Sequence, residues 1–409
     1  MVDDAEFDLI IVGGGLVGAS LACSLATSKL RIAVVEAVPF RSEQQPSFDD
    51  RTVALAYSSC RILETMGLWS KMDIVDGCDI KTIHISDRGH FGFARLHASD
   101  AGLQALGYVI PTRTLGAALL AGMSNAENIT IFCPASVESV VMHDDSTEVV
   151  IEEAGQHRTI GARLLVAADG VHSTIREKIG ITYRQRMYQQ TAIVTNIETE
   201  LPHQQVAYER FMPTGPLALL PMDKERCAVI WSNPADRVDE MLAWDDETFL
   251  AALQHAFGDR LGKFGKIGRR VSYPLALTEV EETIKPRLVL IGNAAHTVHP
   301  VAGQGFNLGL RDVATLAEEI VEAQRGNKDF GALDVLQRYQ QRRRRDTQAV
   351  SRFTDGLIRI FSNTLMPLLV LRNASLVVVD LFPGIKKMFI RRTSGLAGRL
   401  PRLARGLRL

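Results

Sequence analysis

The segment Gly13-Gly14-Gly15-Leu16-Val17-Gly18 constrains the fold of this chain more than any other. It fits G-x-G-x-x-G between a mostly apolar run, residues 7–12, and an Ala- and Leu-rich stretch, residues 19–28, which read as strand and helix. Gly13, Gly15 and Gly18 permit a tight turn, a close backbone approach to pyrophosphate and close helix–strand packing. The start of the helix then offers unpaired N–H groups to phosphate. A second apolar strand, residues 32–36, ends on Glu36, which lies 36 − 18 = 18 residues beyond Gly18 and near the spacing where an acid binds ribose hydroxyls. Such a βαβ unit predicts a parallel sheet with helices on both faces, and a dinucleotide site. A bare glycine turn is the competing reading, and the pattern does not separate NAD from FAD.

Two later segments repeat the passage from strand into loop. An apolar strand at 164–167 runs into Asp169-Gly170, with Ser173 and Arg176 at the start of a helix; Asp169 could serve there as a plain N-cap. Another at 288–291 runs into Gly292-Asn293, His296, His299-Pro300 and Gly303-Gln304-Gly305-Phe306-Asn307, ahead of a helix predicted over 309–324. Between them, residues 191–198, 205–212, 217–220 and 228–231 are β-rich and separated by Pro and Gly. At 409 residues, two domains are expected. The predicted fold class is α/β: a discontinuous Rossmann-like nucleotide-binding domain (1–181 and 286–362), an inserted antiparallel β-sheet substrate domain (182–285), and a C-terminal helical, basic amphipathic segment (363–409). Residues 42–50 read as a mobile loop.

The three motifs, in this order and spacing, resemble the class A FAD-dependent aromatic monooxygenases over nearly the whole chain. The third looks most like that of the ubiquinone-biosynthesis hydroxylases, A-x-H-x-x-H-P-x-A-G-Q-G-x-N, here Ala294 to Asn307. Ser86-Asp87-Arg88-Gly89-His90 and residues 211–221 and 273–278 are similar to the 2-polyprenyl-6-methoxyphenol hydroxylase branch. Where the wider class has Gly-Asp, this chain has Gly292-Asn293; the change keeps a hydrogen-bonding carbonyl, loses the charge and favours that branch.

The resemblance implies FAD held by Gly13, Gly15, Gly18, Glu36, Asp169, Gly170, Asn293, Pro300, Gly303, Gln304, Gly305 and Asn307. It places Arg51 and Arg113 near the pyrophosphate and ribose, where a guanidinium suits phosphate. It also implies O2 as co-substrate, with NAD(P)H or another electron donor. The implied reaction is hydroxylation of a polyprenylated methoxyphenol in ubiquinone biosynthesis through a C4a-hydroperoxyflavin, in a dry pocket. The positive end of the third-motif helix would face the flavin pyrimidine. Phe211, Pro213, Gly215 and Pro216 are candidates for the substrate-facing sheet. No catalytic residue is assigned, because His296 and His299 read equally well as groups that hold their loop together. Competing readings are a hydroxylase of another ubiquinone intermediate or of a soluble phenol, and a flavin-free prenyl-binding chaperone.

Past residue 364 the chain turns apolar, and after Asp380 it carries Lys386, Lys387, Arg391, Arg392, Arg399, Arg402, Arg405 and Arg408 with no Asp or Glu. A basic amphipathic segment of this kind lies well on anionic lipid. The expected partners are therefore the polyprenylated phenol, a membrane surface and other ubiquinone-biosynthesis proteins; a helical lid packed on the core is the competing reading. The run Arg342 to Arg345 reads as a solvated helix face. A net charge of −1 gives no reason to expect nucleic acid. Five scattered cysteines fit neither a disulfide framework nor a zinc site. Acids at Asp3, Asp4 and Glu6, and the lack of an uncharged apolar stretch of about 20 residues, predict a cytoplasmic protein peripheral at the inner membrane.

Overall fold

The computed structural model describes residues 6–40, 51–72, 74, 77–223, 225–299, 301–363 and 365–409. The expected loop 42–50 and the expected cofactor contact Pro300 lie outside these. Short, wholly apolar strands build the first layer. Leu9–Val12, Ile32–Val35 and Leu164–Ala167 are buried on both faces, as continuous apolar runs require. They pair in parallel, Leu9 opposite both Ile32 and Leu164, within a six-stranded sheet that also takes in Ile129–Phe132, Leu288–Leu290 and Ile284–Lys285.

Strand alternation sends Leu9 and Ile11 to one core and Ile10 and Val12 to another. The first core is closed by the helices Leu16–Ser24 and Gln304–Arg325. The second is closed by a three-stranded antiparallel sheet, Ser136–Met142, Thr147–Glu153 and Gln156–Ala162, through Val149, Ile151 and Ile160. The expectation of helices on both faces is thus corrected. Val149, Ile151 and Ile160 are buried while their strand neighbours Glu148, Val150, Glu152 and Thr159 are less so, so that sheet has one apolar face to bury, and this layer accepts it.

The inserted sheet is also present, and it is larger than expected. Its backbone is Tyr183–Thr199, Arg226–Pro234, Leu217–Pro221 and Val206–Phe211, joined by Val271–Val280, His296–Thr297 and Phe264–Ile267. Thr82–Asp87 and Phe93–His97, from the stretch expected to belong with the nucleotide-binding layer, complete its edge. Thr82–Asp87 runs parallel to Val206–Phe211, a pairing open to strands so far apart in sequence that no hairpin joins them.

The helix Leu333–Phe361 crosses Gln304–Arg325 and carries the arginine run. That run is a solvated face only in part: Arg344 and Arg345 are exposed, but the other two are engaged by acids. Arg343 is buried on Asp312 at 2.7 Å, and Arg342 bonds Glu318 and Glu319. The chain ends in two helices, Met366–Leu381 and Pro383–Thr393, bent by 98°. No single helix among the described residues is long and apolar enough to cross a membrane.

Glycine is required at the first turn by packing. A Cβ on Gly18 would sit 1.9 Å from the Gly13 carbonyl oxygen, and one on Gly13, whose φ is +101°, would sit 2.5 Å from the Ala168 carbonyl oxygen. Both clashes are with backbone, so no side chain can swing aside. Gly18→Ala is expected to destabilise the chain by about 1–3 kcal/mol, as overpacking does. Thermal melting of the variant against wild type checks this, and an unshifted Tm refutes it.

Candidate active site

Three loops meet where the parallel strands end. At the first, Glu36 accepts the Gly14 N–H at 2.6 Å and the Val38 N–H at 2.8 Å, so the carboxylate closes the glycine turn onto the end of the second strand. At the second, Asp169 Oδ2 accepts the Ile175 N–H at 3.1 Å and the Thr174 hydroxyl at 3.2 Å. Ser173, rather than Asp169, is the N-cap, accepting the Arg176 N–H at 3.1 Å. That leaves Asp169 Oδ1 buried with no partner among the described residues. At the third, Gly303 takes a left-handed φ of +60° as N-cap, and the helix begins at Gln304. This is five residues earlier than the sequence predicts, so Gly305 and Asn307 lie within its first turn, where N–H groups lack intrahelical partners.

Two side chains that sequence reasoning did not assign fasten these loops together. Arg176 is buried and donates to the carbonyls of Val171 at 2.7 Å and Ala294 at 3.0 Å, joining the second loop to the third. Asp312 accepts the Gly292 N–H at 3.0 Å and meets His296 Nε2 at 2.7 Å, with Arg343 on its other oxygen at 2.7 Å. Burial alone would raise the Asp312 pKa; the adjacent His296 and Arg343 instead hold it well below the carboxylate range. No local pattern marks either residue, because the partners that join separate segments, Ala294 for Arg176 and Gly292, His296 and Arg343 for Asp312, lie 16 or more residues away in sequence.

His296 therefore orients the third loop. His299 accepts the Val301 N–H at 3.3 Å, and burial pulls its pKa down to about 4, so it is neutral at pH 7. Asn307 is likewise spoken for. Its amide nitrogen donates to Ala54 and Gly303, and its oxygen accepts the Ala56 N–H, pinning the strand Thr52–Ala56 beside the helix start.

All three loops open into one cavity of about 1670 Å³. Gly13, Gly15, Glu36, Arg51, Asp169, Gly170, Asn293, Gly303, Gln304, Gly305 and Asn307 line it. Gly18 lies behind the turn, and Arg113 is exposed on the helix Thr112–Ser124 and does not line it. The guanidinium of Arg51 lies 4.8 Å from the Tyr273 ring centroid.

Away from the loops the walls become apolar. Ile83, Ile85, Ala94 and Leu96 face in from the sheet edge, opposite Leu357, Phe361 and Val379 from the closing helices. Phe211 stacks on Phe361 with ring centroids 3.8 Å apart. Of the four residues expected on the substrate-facing sheet, Phe211 and Pro216 line the cavity. Pro213 is exposed, and Gly215, at φ +137° and packed on Ser232, serves the turn.

Comparison with known proteins agrees with this geometry. A family described as FAD binding domain matches residues 6–354. Ubiquinone hydroxylase UbiL of Rhodospirillum rubrum is 38% identical over 99% of this chain and 94% of its own length. The 3-demethoxyubiquinol 3-hydroxylase of Escherichia coli is 29% identical over 95% and 98%. The human mitochondrial ubiquinone biosynthesis monooxygenase COQ6 is 28% identical over 95% and 92%. Among solved structures, p-nitrophenol 4-monooxygenase PnpA of Pseudomonas putida superposes with a TM-score of 0.80 at 18% identity, over 96% of this chain and 98% of that one, a likeness of fold.

Removing Asp312 takes the acceptor from buried His296 and from Arg343 Nε, leaving Arg343 with Asp346 and the Leu308 carbonyl. Asp312→Ala is expected to lose about 3–5 kcal/mol at pH 7, the usual penalty for breaking a buried pair. The folded-state pKa of Asp312 is depressed below its ordinary 3.8, so its contribution is full well above pH 4 and fades as the pH falls below that. Denaturant unfolding from pH 7 to pH 2 should show the gap between wild type and variant narrowing at the acid end. A gap that stays constant counts against the ion pair.

Proposed function

The chain belongs to the FAD-binding-domain family of flavin-dependent monooxygenases that includes the ubiquinone hydroxylases, and from that premise we propose that it hydroxylates the ring of a polyprenylated methoxyphenol during ubiquinone biosynthesis. One observation carries the reading: a single cavity joins the three loops at one end to an apolar chamber at the other. Its volume, about 1670 Å³, exceeds the roughly 300–1,000 Å³ of an ordinary ligand pocket and leaves room for a dinucleotide and a substrate together. Family membership removes the flavin-free chaperone from consideration.

The residues fit FAD. Asp169 Oδ1, buried and unpartnered, needs a donor such as a ribitol or ribose hydroxyl. Glu36 has lone pairs left for the ribose hydroxyls after closing the glycine turn. Gly13 and Gly15 bring backbone close to the pyrophosphate, with Arg51 on the cavity wall to pair with it. Gly303 and Gly305 would leave little side chain against the ring system, and the positive end of the helix Gln304–Arg325 favours negative charge there. When bound, FAD supplies the activation of O2, with electrons from NAD(P)H or another donor.

The protein's own part is to bind, orient and dehydrate the phenol. Phe211, Phe361, Ile85 and Leu357 exclude water, as a water-sensitive oxygen transfer requires. Glu209 lines the cavity on the same strand face as Phe211, with Ile85 and Ala218 as its strand neighbours. We assign it the phenolic proton. The segment 363–409 rests on the cytoplasmic side of the inner membrane and offers a surface to other proteins of the pathway.

A strain lacking the protein should accumulate a prenylated methoxyphenol, and accumulation of a different intermediate moves the chain to another step. Glu209→Gln is expected to lower kcat by 10²–10⁴-fold, the usual worth of a positioned base, with bound flavin unchanged by absorbance. The loss should shrink as the pH approaches about 10, where a phenol ionises unaided. A pH-independent loss assigns Glu209 to packing.

A further inference from the structure

We infer that the cavity opens sideways into the hydrocarbon of an anionic bilayer, through a mouth rimmed by Ile360, Leu368 and Leu371, so that a prenyl chain enters from lipid without crossing water. The inference rests on the reading of the substrate as a polyprenylated phenol and says how that substrate arrives.

The rim is identified by residues that belong to two surfaces at once. Ile360, Leu368 and Leu371 line the cavity, yet they are 45%, 37% and 63% exposed. A side chain can satisfy both only where the chamber meets the outside. This opening is apolar apart from Ser375, which is also exposed and lines the cavity, whereas the loop end of the same cavity carries Glu36, Arg51 and Asp169.

The helix that forms the rim has the wrong exterior for water. Met366, Val370, Ala374, Val378 and Leu381 fall on one stripe of Met366–Leu381 and are exposed, with Leu371 beside them. Its two charged residues, Arg372 and Asp380, lie off that stripe. Arg372 is buried against Asp87 at 2.7 Å, and Asp380 accepts the Arg95 N–H at 2.9 Å. Phe382, 56% exposed, continues the apolar surface to the bend, and Phe91, 65% exposed, adds to it from the neighbouring hairpin, where Asn373 accepts the Gly92 N–H at 2.8 Å. A contiguous exposed apolar face of this kind marks an interaction surface.

Charge selects the occupant. Beyond the 98° bend, Pro383–Thr393 exposes Lys387, Arg391 and Arg392 together with Met388, and eight Lys or Arg with no Asp or Glu follow Asp380. Lys386 is paired with Asp380 at 3.3 Å, and apolar surface bordered by the exposed cations Lys387, Arg391 and Arg392 matches acyl chains bordered by anionic headgroups. At about 1.5 Å per residue, helices of 16 and 11 residues at this angle suit a position in the interface plane rather than across the bilayer.

The mouth is held in shape from inside. Besides its ion pair, Arg372 donates to the carbonyls of Ile360, Phe361 and Asn363, fixing the end of one helix to the start of the next, and Asn373 donates to Asp87. The rim is thus braced on the sheet edge that forms the opposite wall of the chamber.

The test uses FAD-loaded, full-length protein and vesicles of phosphatidylethanolamine with phosphatidylglycerol. Val370→Trp, on the apolar stripe and away from the cavity, is expected to lose at least half of its added fluorescence to lipids brominated in the acyl chains. Unquenched fluorescence overturns the embedding. A polyprenyl phenol bearing a diazirine on its tail, dissolved in the same vesicles, should label residues within 357–379 on illumination; labelling only elsewhere overturns the sideways entry. The variant V370E/V378E should bind vesicles at least tenfold less and turn over vesicle-borne long-chain phenol at least tenfold more slowly, while a two-isoprene phenol in solution is turned over within twofold of wild type. Equal turnover of the long-chain phenol, or a wild-type dimer that this variant dissociates, overturns the proposal. Labelling at 357–379 without turnover of either phenol would support the mouth and sink the assigned reaction instead.

Discussion

The buried carboxylate of Asp312 is the interaction on which the site depends. It holds the Gly292 N–H and His296 from the third loop on one oxygen and Arg343 from the crossing helix on the other. Its charge is costly to bury and is maintained by two cationic or hydrogen-bonding partners. Through them, one side chain fixes where the third loop leaves its strand and how two long helices pack. Arg176 does the corresponding work on the other side, tying the second loop to Ala294. The dinucleotide end of the cavity is therefore a rigid frame of backbone held by a few buried charges.

The chamber beyond it is built on a different principle. Its floor is one face of the large sheet, so alternate residues such as Ala207, Glu209 and Phe211 reach it, Tyr208 also touches the cavity, and Arg210 does not line it. Its roof is supplied by the closing helices, drawn against the sheet edge by the Arg372–Asp87 pair and by Phe361 stacked on Phe211. Dispersion and burial give an apolar, dry volume, and one buried ion pair sets its registration. The groups suited to a charged dinucleotide thus gather at the loop end, while the chamber is mostly apolar, with Glu209 as a carboxylate on its floor.

Much of this was legible in the chain. The glycine turn, its flanking apolar strands and Glu36 announce themselves because each acts over a few residues: a strand buried on both faces must be apolar throughout, and a turn where an added Cβ would meet a carbonyl oxygen at 1.9 Å has room only for glycine. The Asp169-Gly170 and Gly303-to-Asn307 segments were recognisable from a short order of residues, as was the antiparallel sheet between them. Arg113 was placed near the cofactor by the family resemblance and Pro213 on the substrate-facing sheet by its position in the β-rich stretch; both are exposed and do not line the cavity.

By itself, then, the sequence determined the local conformations, the family, the loops that would meet at a nucleotide and the basic character of the tail. Tertiary structure alone decided that the hairpin Thr82–Asp87 and Phe93–His97 joins a sheet whose remaining strands begin about a hundred residues later, that Arg343 is a buried partner rather than a solvated one, and that the closing helices wall the chamber. The reason is physical. Propensity, periodicity and turn chemistry are set by near neighbours along the chain, whereas the partner of a buried charge or an edge strand is whatever the packed layers bring within a few ångströms.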